Sequence, residues 1–353
     1  MENASGVDYI SHAASSNHNS VPEHGPLVNL VVPVIMFALG VLGNMVALFV
    51  LWRSRRQNVH SVFYRLVAGL VVTDLFGTLV TSPITIAVYS NDRQWLGGST
   101  LCSFFSFMLI FAGLGTVFII GTLAVERYLA ILHPFIYEKH VWPPRVKWAL
   151  GLTWILAVLV SSLPLVRVGT NVLQYPGTWC FFDFYSHATP DRAFSFLYAA
   201  LGLLVIALTV ITNVAVMAEL LRMRRITKTT GKSRDGRTLN MTAEMQMIFF
   251  VVGVILVFAS CYTPLMVRVI INASNVLPQD KATDLAVIRL ASLNQIFDPW
   301  VYLLLQRRLM TCLYSACKSV PQNQMSLEKF QSSVKSDAFS SSKQMPLSKV
   351  GPV

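Results

Sequence analysis

Long apolar runs alternate along the chain with short polar segments. The first run begins at Leu27 and continues to Trp52 with almost no polar residue. As an α-helix, its roughly 26 residues would be about 39 Å long, which exceeds the ~30 Å hydrocarbon core of a bilayer. Six further runs follow, at approximately 62–89, 100–132, 146–166, 193–221, 243–272 and 284–305. The pattern predicts an all-α membrane protein built on a bundle of seven transmembrane helices.

The composition supports this interpretation. Hydrophobic residues make up 54% of the chain and charged residues 13%, whereas soluble globular proteins carry about 25% charged residues. The net charge of +11 is concentrated in alternate loops. Those loops face anionic lipid headgroups in the predicted arrangement, so the charge indicates membrane topology and not a nucleic-acid partner.

The distribution of Lys and Arg sets the orientation. Residues 1–26 contain neither, and the first cation of the chain is Arg53, directly after the first apolar run. Because cytoplasmic loops are enriched in Lys and Arg, we expect an extracellular N-terminus. Residues 1–26 also lack the basic and apolar regions of a cleavable signal peptide, so the first helix would act as an uncleaved signal anchor.

The chain divides into four predicted regions. An extracellular tail covers 1–26 and the seven-helix bundle covers 27–305. Residues 306–318 carry an apolar stripe at helical spacing, which predicts a short amphipathic eighth helix on the inner membrane surface. Residues 319–353 are rich in Ser and Lys without apolar periodicity, which is typical of a disordered cytoplasmic tail.

The cysteines differ by predicted side of the membrane. Cys102 and Cys180 lie outside, where one disulfide is the economical assignment, and Cys261 lies within a span. Cys312 and Cys317 beside the amphipathic segment are candidates for palmitoylation. Asn3 begins an extracellular Asn-Ala-Ser sequon and is a candidate for glycosylation.

Three polar residues lie inside predicted spans, where polar groups are costly and often functional. Asp74 lies midway through the second span, Asp298 in the seventh and Asn44 in the first. They are candidates for one cluster. Two interpretations stay open, a water or sodium site that rearranges with helix motion and a static hydrogen-bonded contact between helices.

Arg289 precedes Asp298 by about nine positions, or roughly 13 Å toward the outer face of the seventh helix. One interpretation is that it extends to the outer headgroups, helped by Asp284. The other is that it faces an internal cavity and binds a carboxylate, with Ser292 one turn inward on the same face. Arg268, near the outer end of the sixth span, is a second candidate that we expect to extend to the headgroups.

At the inner end of the third span lies the sequence Glu126-Arg127-Tyr128. A Glu-Arg pair at a helix end is most often interfacial charge. Four prolines are predicted to interrupt spans and kink them, which suits a bundle that moves as well as one with static kinks. They are Pro83, Pro164, Pro264 and Pro299. Nucleotide loops, metal-ligand spacings and nucleophile motifs are not evident, so we expect no cofactor, metal or catalytic site.

These features together resemble the rhodopsin-like G-protein-coupled receptors over residues 27–318. The matching motifs are Gly43-Asn44, Asp74, the Cys102 and Cys180 pair, Glu126-Arg127-Tyr128, Trp154 with Pro164, Pro264 and Asp298-Pro299-Trp300-Val301-Tyr302. Three segments resemble prostanoid receptors specifically. They are the outer-loop segment from Gln174 to Phe181, the seventh-span segment from Arg289 to Asn294 and the Asp298-Pro299-Trp300 variant. Detailed similarity favours the prostaglandin E receptors of subtype four, with subtype two as the runner-up.

The resemblance implies a ligand and its site. Arg289, Tyr89 and Thr178 would hold the carboxylate of prostaglandin E2 or a related prostanoid under a lid formed by the second outer loop. Ser292, Thr85 and Trp179 would complete the site.

The resemblance also implies the signalling partners and the cellular location. Partners would be the stimulatory G protein, which raises cyclic AMP, and arrestin and receptor kinases at the tail. Activation would involve Glu126, Arg127, Tyr128, Asp74, Asp298, Pro299, Tyr302 and Pro264. The protein would span the plasma membrane.

Two alternatives remain at this point. Another prostanoid is a possible ligand, since these residues do not select among them. A transporter of lipid anions would use Arg289 as its substrate site, but it would be expected to have broken helices and related halves, and neither is evident in the sequence.

The predicted topology can be tested with epitope tags. A tag before Leu27 should bind antibody on intact cells, and a tag after Lys318 should bind only after permeabilisation, because the positive charge holds the alternate loops inside. The reverse pattern would contradict the receptor interpretation.

Overall fold

The computed structural model describes residues 29–54, 62–140, 143–230 and 241–305. Within them, seven long helices form the bundle. They are α1 (Val31–Ser54), α2 (Val62–Ser90), α3 (Gly98–Leu132), α5 (Pro143–Ser162), α6 (Thr189–Thr230), α7 (Met241–Ser274) and α8 (Lys281–Leu305). A short helix, α4 (Pro134–His140), follows α3, and two strands, β1 (Asn171–Gln174) and β2 (Trp179–Phe182), lie between α5 and α6. The predicted seven-helix fold is confirmed.

Six of the seven long helices meet the length and apolarity expected of a membrane span in the described residues. The seventh, α8, has 25 residues, which is about 37 Å of helix and long enough to cross. It is less apolar because it carries Lys281, Asp284, Arg289 and Asp298. The helix that falls short of the apolarity expected of a span is therefore the one that carries Arg289 and Asp298.

Six of the long helices pack in a ring, of which α3 is the most buried member. Each of the pairs α1–α2, α2–α3, α3–α6, α6–α7, α7–α8 and α8–α1 is in contact, and α5 packs outside on α2 and α3. In the apolar part of α3, 67% of the residues are buried inside the protein, against 22% in the apolar part of α5. α3 therefore forms the core of the bundle, and α5 mainly faces lipid.

Close helix approach occurs where the sequence provides a small residue. A Cβ built on Gly77 of α2 would lie 2.6 Å from Cβ of Ala112 on α3, closer than real Cβ atoms approach. Any larger residue at position 77 would separate the two helices. The close contact brings Asp74, one turn away on α2, within reach of Thr116 on α3.

One of the four prolines does not interrupt a helix. Pro264, Pro299 and Pro83 lie inside helices as predicted. Pro164 instead lies in a 3-10 turn, Leu163–Val166, after α5 has ended at Ser162. Proline is tolerated at the first positions of a helix because no amide donor is needed there, so Pro164 marks an end and not a kink.

The strands form an antiparallel hairpin that closes one end of the bundle, which we call the hairpin end. Leu173 pairs with Cys180 in its register. The predicted disulfide between Cys102 on α3 and Cys180 on β2 is present. A second tie to α3 is the hydrogen bond that Ser106 Oγ donates to Asn171 Oδ1 over 2.7 Å.

An aromatic cluster lies beneath the hairpin. Phe182 contacts Phe194 and Tyr198 of α6 with ring centroids 4.9 and 5.1 Å apart. All four residues of β2 are buried. The hairpin is therefore a packed part of the core that covers the interior of the bundle.

Several predictions fall outside the described residues and stay predictions. These are the tail 1–26 with Asn3, the amphipathic helix 306–318 with Cys312 and Cys317, and the cytoplasmic tail 319–353.

Loss of the disulfide should destabilise the protein strongly. Replacing Cys102 or Cys180 by Ser is expected to lower the free energy of unfolding by about 2–5 kcal/mol, as for other native disulfides. The measurement is the thermal midpoint in detergent together with surface expression. Cys261→Ala is the matched control, since Cys261 is a free buried cysteine. Equal midpoints for the three variants would contradict a structural role for the pair.

Candidate functional site

A cavity opens at the hairpin end between the bundle and the hairpin. Its empty space, including the part open to solvent at the mouth, is about 630 Å³. Its walls come from α1, α2, α3, α8 and the hairpin. The lining residues are Pro33, Met36, Thr81, Ser82, Thr85, Tyr89, Phe105, Leu109, Thr178, Trp179, Leu285, Ile288, Arg289 and Ser292.

Arg289 is the cation of this cavity wall. Its Nη2 donates a hydrogen bond to the Tyr89 hydroxyl over 2.8 Å, which joins α8 to α2. The phenol accepts that bond and keeps its own proton to donate. Of the two interpretations of Arg289 left open by the sequence, the structure has the one in which it lies at an internal cavity.

The other four predicted ligand residues line the same cavity. The Thr85 hydroxyl donates to Thr81 O over 3.2 Å and the Ser292 hydroxyl to Ile288 O over 2.9 Å, so both offer lone pairs to the cavity. Thr178 is buried at the turn of the hairpin. Trp179 Nε1 donates to Tyr175 O over 2.8 Å, which fixes the indole against the cavity.

The remaining lining residues are mostly apolar and were not predicted from the sequence. Phe105, Leu109, Leu285 and Ile288 form a hydrophobic surface beside the polar groups. In the sequence they are indistinguishable from residues that face lipid or a neighbouring helix. The cavity can therefore hold a molecule with one anionic group and a long apolar part.

Arg268 does not extend to the headgroups, so that prediction is wrong. Its Nε lies 2.7 Å from Asp284 Oδ1, and the two side chains are 12% and 6% exposed. Asp284 thus forms an ion pair with Arg268 of α7. Asn272 Nδ2 donates to the same Oδ1 over 2.9 Å, and the Tyr185 hydroxyl donates to Oδ2. The ion pair offsets the desolvation cost of the Asp284 carboxylate, because a buried carboxylate without a partner is strongly destabilising.

Tyr185 lies in the loop that follows the hairpin. Burial, and then its hydrogen bond to the Asp284 carboxylate, raise the pKa of the phenol. The phenol therefore stays protonated at physiological pH and remains a donor.

The polar residues at mid-bundle form short hydrogen bonds, two of them between helices. Thr116 Oγ1 donates to Asp74 Oδ1 over 2.5 Å, Asn294 Nδ2 donates to Asp298 Oδ2 over 2.6 Å, and Asn44 Nδ2 donates to Gln295 O over 3.0 Å. Among the described residues, three buried oxygens of this group accept no hydrogen bond. They are Asp74 Oδ2, Asn294 Oδ1 and Asn44 Oδ1.

Such oxygens suit a water molecule or a hard cation. The sodium site therefore fits the residues present and stays a prediction.

A second site lies at the opposite end of the bundle. Arg127 forms two bonds to Glu126, Nε to Oε2 over 2.6 Å and Nη2 to Oε1 over 2.8 Å. The Tyr137 hydroxyl of α4 donates to Glu126 Oε1 over 2.7 Å, and the Arg127 guanidinium lies 4.4 Å from the centre of the Phe63 ring. Burial, and then Glu126, raise the pKa of Tyr137. Tyr128 contacts His133.

Phe63 and Tyr137 were not predicted from the sequence, because Phe63 belongs to another helix, α2, and Tyr137 to the separate short helix α4. Pro264 lies inside α7, and Pro299 and Tyr302 belong to α8. These elements adjoin each other in the ring.

The comparison with known proteins identifies the class. The family described as 7 transmembrane receptor (rhodopsin family) matches residues 43–302. The crystal structure of squid rhodopsin superposes with a TM-score of 0.72 over 91% of this chain and 92% of that chain, at 16% identity, which supports the fold. The chain therefore belongs to the rhodopsin family of seven-transmembrane receptors. Since this is a family of receptors in the membrane, the protein is a multi-pass membrane protein and not an enzyme, and the transporter alternative is set aside.

Within that family, the chain is similar to prostaglandin E2 receptors. The EP4 subtype of Oryctolagus cuniculus is 36% identical over 340 residues, which cover 84% of this chain and 69% of the relative. The EP4 subtype of Homo sapiens is 37% identical, over 79% of this chain and 65% of the relative. The EP3 subtype of Oryctolagus cuniculus is 33% identical, over 86% and 79%.

These matches confirm the predicted resemblance to the prostanoid receptors. The chain spans about two thirds of the length of the EP4 relatives.

Proposed function

We propose that the protein is a plasma-membrane receptor for prostaglandin E2 or a closely related prostanoid. In this proposal the hairpin end faces the outside, and the N-terminus is extracellular. Binding signals through the stimulatory G protein and raises cyclic AMP, and arrestin and receptor kinases act on the tail. The observation that carries the proposal is the Arg289–Tyr89 pair in the wall of an otherwise mainly apolar cavity. Similarity to the prostaglandin E2 receptors supports it.

The chemistry of the ligand matches the cavity. A prostaglandin has an apolar chain and one carboxylate, so its chain can lie on Phe105, Leu109 and Ile288 while its head contacts Arg289. A guanidinium is always charged and presents parallel N–H donors to a carboxylate. Tyr89 then donates its own proton to the same head. Thr178, held in the buried turn of the hairpin, supplies a further hydroxyl.

Signalling requires two states of the bundle. The state described here has Arg127 bound by Glu126 and seated on Phe63. We propose that this is the resting state, and that motion of α7 about Pro264 accompanies release of Arg127 toward the G protein. Asp74, Asp298 and Pro299 would adjust at mid-bundle. The alternatives are that the ligand is another prostanoid, or that the protein is a prostaglandin E receptor of subtype two.

Substitution of Arg289 tests the ligand site. Arg289→Ala should weaken binding of prostaglandin E2 by about 3–5 kcal/mol, or roughly 100- to 5,000-fold, because a buried carboxylate loses its charged partner. Arg289→Lys should restore binding partly, since the charge returns without the planar fork. Competition binding on membranes measures both. The methyl ester of the ligand should bind wild type poorly and lose little more in the Ala variant.

Arg192→Ala is the matched control, because Arg192 is an exposed cation at the same end of the bundle. It should leave affinity unchanged. Equal binding of acid and ester to wild type, with an unaffected Arg289→Ala variant, would place the ligand elsewhere.

Coupling is tested by a prostanoid panel on cells with a cyclic AMP readout. Prostaglandin E2 should raise cyclic AMP, and Glu126→Gln should raise the basal level without ligand. Loss of a charge-assisted pair should shift the equilibrium of Arg127 toward release by about tenfold or more.

Glu219→Gln is the control, since the Glu219–Arg222 pair is an exposed 3.6 Å contact worth little. A response confined to calcium release or to inhibition of cyclic AMP would indicate another coupling class.

A further inference from the structure

Among the ionised side chains at the hairpin end are Arg289, Asp284 and Arg268. Arg289 and Asp284 belong to α8, five residues apart, which corresponds to about 7.5 Å along the helix axis. Arg268 belongs to the neighbouring helix α7. Leu285, directly after Asp284, and Ile288, directly before Arg289, both line the cavity. A negative charge on Asp284 would therefore act on any anion bound at Arg289.

In the structure that negative charge is neutralised. Arg268 Nε donates to Asp284 Oδ1 over 2.7 Å, and Arg268 Nη2 donates to Asp280 O over 3.1 Å, which fixes the guanidinium in place. Asn272 donates to Oδ1 and Tyr185 to Oδ2, so both carboxylate oxygens are engaged. Both members of the ion pair are largely buried, where solvent screens charge weakly.

We propose that Arg268 is a positioning residue for acid recognition: it cancels the charge of Asp284, so that Arg289 gives the cavity its preference for a carboxylate over the neutral ester. The inference rests on the proposed function, because it needs an acidic ligand at Arg289. Arg268 does not line the cavity and need not touch the ligand. Its effect on the ligand is electrostatic and passes through Asp284.

The size of the effect follows from Coulomb's law. Two unit charges about 10 Å apart at an effective dielectric constant of about 20 interact strongly enough to change affinity by about tenfold. The interaction with a neutral ester is small by comparison. The ratio of ester to acid dissociation constants, which we call the acid preference, therefore isolates the charge from any change in packing.

The test compares wild type with a set of charge variants, assayed by competition binding of prostaglandin E2 and its methyl ester to membranes. Arg268→Gln should lower the acid preference about tenfold, because Asp284 is left negative. Asp284→Asn should raise it by a similar factor, because Arg268 is left positive. The double variant, which removes both charges, should return close to wild type.

Tyr185→Phe is the matched control. It removes a hydrogen bond to Asp284 and tests the lid contact, but it changes no charge, so the acid preference should stay at the wild-type value. Loss of packing would weaken acid and ester together in every variant. Opposite shifts of the preference in the two single variants cannot arise from misfolding.

The inference is overturned if the two single variants leave the acid preference unchanged, or if both shift it in the same direction. If Arg268→Gln fails to reach the membrane, Asp284→Asn and the double variant still decide, since the first should raise the preference and the second should not. Arg289→Gln separates this inference from the proposed function. If it leaves acid binding intact, the ligand site itself is wrong. If it removes acid binding while the Arg268 set shows no shift, the charge-cancelling role alone fails.

Discussion

The fold depends on one constraint, which is that polar and charged groups inside a membrane bundle need partners within the protein. Two of the described charges satisfy it through contacts between helices. Arg268 joins α7 to α8 through Asp284, and Asp74 joins α2 to α3 through Thr116. Because lipid cannot replace these partners, each pair also fixes how its two helices pack against each other. The same pairs that allow the charges to be buried therefore hold the helices in register.

The hairpin places the candidate ligand cavity within this frame. It is tied to α3 by the disulfide at Cys102 and by the Ser106–Asn171 hydrogen bond. The loop that follows it is tied to α8 through Tyr185. These contacts make the hairpin a fixed wall, so that Thr178 has a defined position opposite α8. A cavity with fixed walls loses little conformational entropy when a flexible apolar ligand binds.

The two ends of the bundle share the helices that would transmit a signal. α7 carries Arg268 near the hairpin end and Pro264 one turn further in, and α8 carries Arg289 and, deeper, Asp298. The ion pair between Arg127 and Glu126 lies at the opposite end of the bundle, on α3, which contacts both α2 and α6. We propose that the two ends are coupled, because a shift in the packing of α7 on α8 would change the contacts at both ends of the bundle. The two sites are thus linked by continuous packed helices.

The sequence by itself determined the seven helices, their approximate ends and the disulfide, because a span of apolar residues long enough to cross a bilayer has few alternatives to a helix. It also identified Arg289 as a candidate, since an arginine within a span is rarely without a role. Tertiary structure decided the partner of each charge. Asp284 is closer to Arg289 along the chain, yet it pairs with Arg268 from another helix. The contact of the Phe63 ring with the Arg127 guanidinium could not be predicted from the sequence either. Helix length and hydropathy are local properties, whereas the rotation and packing of helices, which choose the partners, depend on the whole bundle.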